Sequence, residues 1–429
     1  MSVEKFETDE ETARRLDSQD SLAKFRSLFY VPDGEIYVDG NSLGLLSKLA
    51  EETVLRELNE WKTLGVRGWL EAKQPWFYLA EKLGAECSKL VGAKPEEVVA
   101  TGTTTMNIHS LVNTFYGSRR NRTKIIADEL TFPTDLYALQ SLVKLRGADS
   151  DSLILAKSAD GRFLKEDSII ELMDDDVDLA LLPSVLYRSG QLLDMEYLTE
   201  EAHKRDILIG FDCSHSVGVV PHHFDEWGVD FAVWCSYKYL NGGPGGTAFH
   251  YLNKRHFNRA PALAGWFGYV KDKQFDLKVE FENAKNAGGW QISSPGILSS
   301  APLEGSLQII GEAGIENIRR KSLELTSYLI YLVDNMLSEE PYGFHVGTPR
   351  EPERRGGHVA VEHEEAMRIS EALRARNVIT DFRPPNVIRI CPSPLYNCHH
   401  DLWRIVQNLK EIIDKREYDK FPEKRKKIS

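Results

Sequence analysis

An aspartate, a histidine and a lysine stand near the middle of the chain, each just beyond a short apolar run. Asp212-Cys213-Ser214-His215 follows the run at residues 207–211, and Cys235-Ser236-Tyr237-Lys238 follows the run at 231–234. In an open α/β sheet ligands sit beyond the carboxyl ends of the strands, so the first polar residues after such runs are where chemistry is expected. A third strand end, Ala100-Thr101-Gly102-Thr103-Thr104-Thr105, is a turn of small residues that feeds a helical segment at 106–115. Together these are the parts that pyridoxal 5'-phosphate chemistry requires. A lysine must condense with the cofactor aldehyde, and an acid must face the pyridine nitrogen and keep it protonated so that the ring accepts electrons. Lys238 and Asp212 fit those two roles. Gly102 to Thr105 offer hydroxyls and backbone N–H groups at a helix start, where a phosphate dianion is favoured.

Taken singly, each residue has an ordinary explanation. An aspartate ending a strand often caps the next helix, a lysine beside a glycine-rich loop is a common surface residue, and His215 could be a hydrogen-bonded interior side chain. The weight lies in the combination of an acid at one strand end and a lysine at the next, 26 positions later. Gly243-Pro244-Gly245-Gly246-Thr247-Ala248 matches the letters of a dinucleotide fingerprint but precedes a strand instead of opening a helix, which rejects that reading. No G-x-x-x-x-G-K-[ST] loop occurs. Cys398-His399-His400 is not read as a metal site, because adjacent side chains diverge and no second ligand pair closes a tetrahedron.

The elements that must position these residues are legible as a repeated theme between residues 96 and 252. Short, nearly all-apolar runs at 97–100, 124–127, 152–155, 178–182, 207–211, 231–234 and 247–249 alternate with turns and helix-length segments. Continuous apolar runs belong to strands covered on both faces, so the pattern predicts an α/β fold with a mostly parallel seven-stranded sheet. Before it, Glu35-Ile36-Tyr37-Val38 reads as an extended piece that packs onto another element. After it comes a helical pattern from Ile315 to Met336, then a smaller α+β unit with strands expected near 357–361 and 387–390 and helices at 363–376 and 399–414. The domain reading is an N-terminal segment, 1–65, flanking a large cofactor-binding domain, 66–300, and a small C-terminal domain, 301–429.

Composition narrows the partners. The 429 residues carry 53 Lys plus Arg against 65 Asp plus Glu, a net charge of −12 that disfavours nucleic acid. No apolar stretch reaches the ~18–20 residues of a membrane helix, and the acidic start MSVEKFETDEETARRLD lacks the features of a signal peptide. Five scattered cysteines without a C-x-x-C pair fit a reducing cytoplasm. The basic run Lys424-Arg425-Lys426-Lys427 reads as a solubilising terminus.

Longer strings carry a resemblance. Phe211-Asp212-Cys213-Ser214-His215-Ser216-Val217-Gly218 and Trp234-Cys235-Ser236-Tyr237-Lys238-Tyr239-Leu240-Asn241 closely resemble kynureninase, a family of fold-type I pyridoxal phosphate enzymes in the aminotransferase class V group. Gly40-Asn41-Ser42-Leu43-Gly44-Leu45, Thr131-Phe132-Pro133-Thr134-Asp135, Gly265-Trp266-Phe267-Gly268 and Pro394-Leu395-Tyr396-Asn397 resemble segments of the same family in the same order, so the likeness spans about residues 35–415.

The resemblance implies a hydrolase that cleaves the β,γ carbon–carbon bond of L-kynurenine to anthranilate and L-alanine, with 3-hydroxykynurenine as secondary substrate, in tryptophan catabolism or NAD biosynthesis. It implies that Lys238 bonds the cofactor aldehyde, Asp212 pairs with the pyridine nitrogen, and His215 lies beside the ring. Phe132 would stack on the ring, Asp135 would assist near its substituents, and Thr104 and Thr105 would bind the phosphate. Tyr237 would bond the phosphate and relay protons. Trp266 and Ser294 would come from the partner subunit of a homodimer. Arg389 would clamp the substrate carboxylate beside Ser42. Trp69 and Ser294 stand where animal relatives have histidine and asparagine, which implies a preference for plain kynurenine. Pro183, followed by Ser184, replaces a hydroxyl residue on the phosphate side. The nearest rival, a cysteine desulfurase, needs a nucleophilic cysteine, for which Cys391 and Cys398 are the candidates; a non-catalytic sensor of a tryptophan metabolite is a second.

Overall fold

Strands without a polar face need cover on both sides, and seven such runs here form one central sheet. The computed structural model describes residues 6–117 and 122–422, so the basic run at 424–427 lies outside the described residues. A short strand, β1 (Ile36–Tyr37), precedes the sheet, which is built from β2 (Val98–Ala100), β3 (Lys124–Asp128), β4 (Leu153–Ala156), β5 (Val177–Pro183), β6 (Leu208–Asp212), β7 (Phe231–Trp234) and β8 (Phe249–Leu252). Their order is β2-β8-β7-β6-β5-β3-β4. Only β8 runs antiparallel to its neighbours. The carboxyl ends of β2, β3, β5, β6 and β7 therefore open on one edge. β8 begins at Phe249, later than the run at 247–249 suggests; the backbone of Ala248 just before it bonds to Thr101 and Gly102, and the Thr247 hydroxyl meets Ser300 Oγ at 2.7 Å.

The C-terminal part holds β9 (His345–Val346), β10 (Val359–Glu362), β11 (Val378–Ile379), β12 (Asp381–Arg383) and β13 (Val387–Ile390). Four of these form an antiparallel sheet, β12-β13-β10-β9. Leu325, Leu329 and Val333 of the helix Ile315–Met336 and Leu402, Ile405 and Leu409 of the helix His399–Asp414 share a core with its inner face. The helices at 366–375 and 399–414 match expectation within a turn.

The N-terminal segment divides between the two cores. Leu22, Phe25 and Phe29 join the core on one face of the large sheet, whereas Ala13, Leu16, Ile36 and Val38 join the C-terminal core. The extended piece at 35–38 finds its partner there, because β1 pairs in parallel with β11. Asp17 accepts from the backbone N–H groups of His399 and His400 at 2.6 and 3.1 Å and so caps a helix from another part of the chain. The helix Ile297–Ala313 runs with the large core and crosses the helix Lys48–Leu64 so closely that a Cβ on Gly305 would overlap the backbone of Leu49.

Beneath β6 and β7, Asp230 accepts from Ile209 N (2.9 Å), His203 Nε2 (3.0 Å), His256 Nε2 (2.7 Å) and Arg255 Nη2 (2.7 Å). Burial alone would raise its carboxyl, but the hydrogen bonds from His203 and His256 and the charge of Arg255 outweigh it and hold the pKa well below the carboxylate range. A depressed folded pKa means that this stabilisation is present above the unfolded value near 4 and is lost as pH falls below it. Asp230→Asn is expected to lower unfolding free energy by about 3 kcal/mol at pH 7. The gap to wild type should narrow steadily below pH ~4 in urea titrations.

Candidate active site

The carboxyl-terminal edge of the sheet opens into a pocket of about 310 Å³. Nine of the expected residues line it: Ser42, Thr104, Thr105, Phe132, Asp212, His215, Tyr237, Lys238 and Arg389. Asp212 is the last residue of β6, and Lys238 arrives from the turn after β7, so the parallel pairing of the two strands brings acid and lysine to the same mouth. The turn is braced from the N-terminal segment: Gly44 N donates to Tyr237 O at 2.7 Å. A Cβ on Gly44 would overlap the Lys238 carbonyl, so only glycine allows this approach.

Lys238 Nζ lies 3.0 Å from His215 Nε2. Burial, then the charge of Lys238, pushes the imidazole well below its usual range, so His215 is neutral, accepts at Nε2 and carries its proton on Nδ1. That Nδ1 is buried and has no partner. Asp212 accepts from Ser214 N at 2.8 Å; burial raises its carboxyl against the opposing charge of Lys238. Asp135, on the helix Pro133–Leu145, is buried behind the pocket and accepts from Thr131 Oγ1 at 3.0 Å, leaving Oδ1 unpartnered. Burial and then the charge of Asp212 raise it well above its normal value. Burial followed by the Cys235 thiol pushes the Tyr237 phenol above its ordinary range, so it keeps its proton.

These features fit pyridoxal phosphate. A buried carboxyl short of cationic partners gains from a pyridinium N–H, and the orphaned His215 Nδ1 and Asp135 Oδ1 await polar neighbours. Phe132, 43% exposed, touches Tyr187 edge-on at 5.4 Å between ring centres. At one end of the pocket the 12-residue helix Thr104–Phe115 begins, offering the helix start that a phosphate would need. Thr105 and Thr134 hydroxyls lie 2.9 Å apart there. Ser184, next to Pro183, is not part of this cradle: its hydroxyl is buried against Ser216 Oγ at 2.7 Å.

At the opposite end Arg389, buried on β13, donates to Tyr187 O at 2.8 Å and Ser42 Oγ at 3.0 Å and pairs with Asp381. Asn41, Thr103, Thr134, Ser214 and Arg383 complete the lining. Thr103 belongs to the turn at 102–105 read as a phosphate site, and Asn41, Thr134 and Ser214 stand inside quoted strings without a role of their own. Arg383 alone was passed over, because it had no signal until β12 was seen to pair with β13.

Trp69, Trp266 and Ser294 stand elsewhere in this chain. Trp69 meets Trp76 and Phe267 with ring centres 5.9 and 5.8 Å apart and lines a second pocket, about 570 Å³, with residues 296–299. Trp266 is 44% exposed, and Ser294 is exposed. Both candidate nucleophilic cysteines are poorly suited to that role. Cys391 is fully buried, donates to Tyr239 Oη at 3.5 Å and is pushed by burial to about 12; Cys398 is likewise pushed to about 12. His399 and His400 are taken by Asp17 and Glu10, each at 3.0 Å.

Comparison with known proteins adds three findings. Residues 318–409 match the family model described as the kynureninase C-terminal domain. The chain is 56% identical over 420 residues to the kynureninase of Geobacillus thermodenitrificans, covering 98% of each, and 54% identical to that of Bacillus cereus over the whole of both chains. Among solved structures, a cysteine desulfurase from Thermococcus onnurineus superposes with a TM-score of 0.76 at 17% identity, covering 91% of this chain and 98% of that one. A mutant C-DES with glycine linked covalently to its pyridoxal phosphate cofactor superposes at 0.77 and 16%, covering 90% and 98%. The last two share the fold.

Proposed function

This chain belongs to the kynureninase family, and from that premise we propose that the pocket at the sheet edge cleaves L-kynurenine to anthranilate and L-alanine with pyridoxal phosphate. It is a hydrolase of a carbon–carbon bond. The observation that carries the site assignment is the lysine–histidine contact of 3.0 Å beside Asp212, in one pocket with Arg389. The cofactor, when bound, supplies an aldehyde that captures the substrate amine and a ring that draws electrons from the α-carbon. Asp212 would pair with the ring nitrogen, Phe132 and His215 would border the ring, Asp135 would support its substituents, and Thr104 and Thr105 would hold the phosphate. Arg389, with Ser42, takes the α-carboxylate. Lys238 Nζ is the base for the α-proton, and the protonated phenol of Tyr237 is the donor at the later steps, in which water adds at the γ-carbonyl and the β,γ bond breaks. Mixing the purified protein with L-kynurenine should give anthranilate fluorescence; a yellow protein that produces none would favour the metabolite-sensor reading.

The active unit is read as a homodimer. Leu55, Leu58, Trp61, Val66 and Leu70 form an exposed apolar strip along and after the helix Lys48–Leu64, which a second copy would cover. The same assembly would bring the partner's Trp266 and Ser294 to the pocket, and Trp69 to the aromatic end of the substrate. Five unpaired cysteines agree with a cytoplasmic setting, and no helix among the described residues is long and apolar enough to cross a membrane. Because a hydroxyl on the substrate ring needs a polar partner, Trp69→His combined with Ser294→Asn is expected to raise turnover of 3-hydroxykynurenine over kynurenine about tenfold. An unchanged ratio of kcat/KM values would refute the selectivity role.

A further inference from the structure

The substrate end of the pocket carries two guanidinium groups, not one. On β12, Asp381 and Arg383 are two positions apart and so project from the same face. Asp381 lies directly across the ladder from Arg389 on β13, which puts all three side chains on that face. The ion pairs are specific to one atom: Arg383 Nε sits 2.8 Å from Asp381 Oδ2, and Arg389 Nη2 pairs with that same oxygen. Two guanidiniums on one oxygen are necessarily close neighbours. Arg389 has spent three of its five donors, on Tyr187 O, Ser42 Oγ and Asp381, and its buried Nε has no partner. The Arg383 side chain is 28% exposed and lines the pocket.

We propose that Arg383 is a second substrate-binding residue, which with Arg389 recognises the α-carboxylate of the amino acid, and that Asp381 is the shared counterion that positions both guanidiniums. The inference rests on the reading of Arg389 as the carboxylate clamp. The charge count supports it. One carboxylate neutralises only one of two buried or half-buried guanidiniums, which leaves a positive charge for the ligand. Asp39, bridged to Cys391 two residues beyond Arg389, is the other acid of the group. Burial and then the charge of Asp381 push it up to about 6, so it offsets the positive charge less than an ordinary carboxylate does.

The test compares two ligands that differ only at the carboxyl, L-alanine and L-alaninamide, titrated into holoenzyme while the visible cofactor band is followed. Wild type is expected to prefer alanine. Arg383→Gln should cut the ratio of the two dissociation constants about tenfold, with the cofactor band of the ligand-free protein intact. Arg383→Lys keeps the charge but loses the planar fork, and should cut the ratio about threefold; it carries the test if the glutamine variant does not fold. A ratio unchanged in either Arg383 variant while Arg389→Gln abolishes the preference overturns the proposal. A ratio that survives Arg389→Gln overturns the clamp reading itself.

Discussion

Lys238→Ala is expected to purify without the visible absorption of a lysine-bound cofactor and to lose at least about 10⁴-fold in kcat with L-kynurenine. The loss has two sources. In the proposed mechanism Lys238 is the amine that would hold the aldehyde before substrate arrives, and its Nζ, 3.0 Å from His215, would be the base for the α-proton. Neither neighbour can substitute. His215 is held neutral but deep in the wall, with burial and nearby cations pushing it far below its usual range, and Asp212, in the proposed arrangement, would be committed to the ring nitrogen. The fold should survive, because Lys238 is half-buried in a turn braced by Gly44 and takes no part in either core. Absorbance, circular dichroism and anthranilate fluorescence on one preparation separate these effects. A variant that kept the band and the turnover would remove Lys238 from the mechanism.

What could be read in advance follows from how strongly each element advertises itself. The seven core strands are fully or nearly apolar because both faces are covered, and that continuity made them visible. Asp212 and Lys238 were visible for the same reason, since the first charge after a buried run marks the strand's open end. β12 is the opposite case. Asp381-Phe382-Arg383 is three residues long and polar on the face that matters, so no hydrophobic period announces it. It nevertheless brings Asp381 and Arg383 to the pocket through pairing with a strand further along the chain, a contact that exists only once β13 is in place. The extended piece that became β1 was legible, but β11, two residues long, was silent, and with it the partner that ties the N-terminal segment to the C-terminal core. Trp69, Trp266 and Ser294 were named through family resemblance alone. They do not line the pocket of their own chain, and a site completed by a second subunit, as proposed for Trp266 and Ser294, would leave no local pattern in one.

Tyr237→Phe separates proton relay from cofactor binding. The phenol lines the pocket one residue before Lys238, and its ring lies 5.9 Å from the Lys238 Nζ. Burial and the adjacent Cys235 raise its pKa, so at neutral pH the oxygen carries a proton and acts as donor. Removing one hydroxyl leaves the aromatic face, the turn and the Gly44 brace in place, and the holoenzyme should keep its visible band. Hydration of the γ-carbonyl and release of L-alanine both need a proton delivered at a defined point, and a positioned acid contributes about 10²–10³-fold to such steps. The expected result is therefore a kcat lowered by that factor, with KM for L-kynurenine changed by less than about threefold, because the proposed carboxylate site, Arg389 and Arg383, is separate from the phenol. A loss confined to KM would assign Tyr237 to binding. Wild-type anthranilate production would show that the proton comes from another group, of which the neutral His215 is the nearest candidate on the ring side.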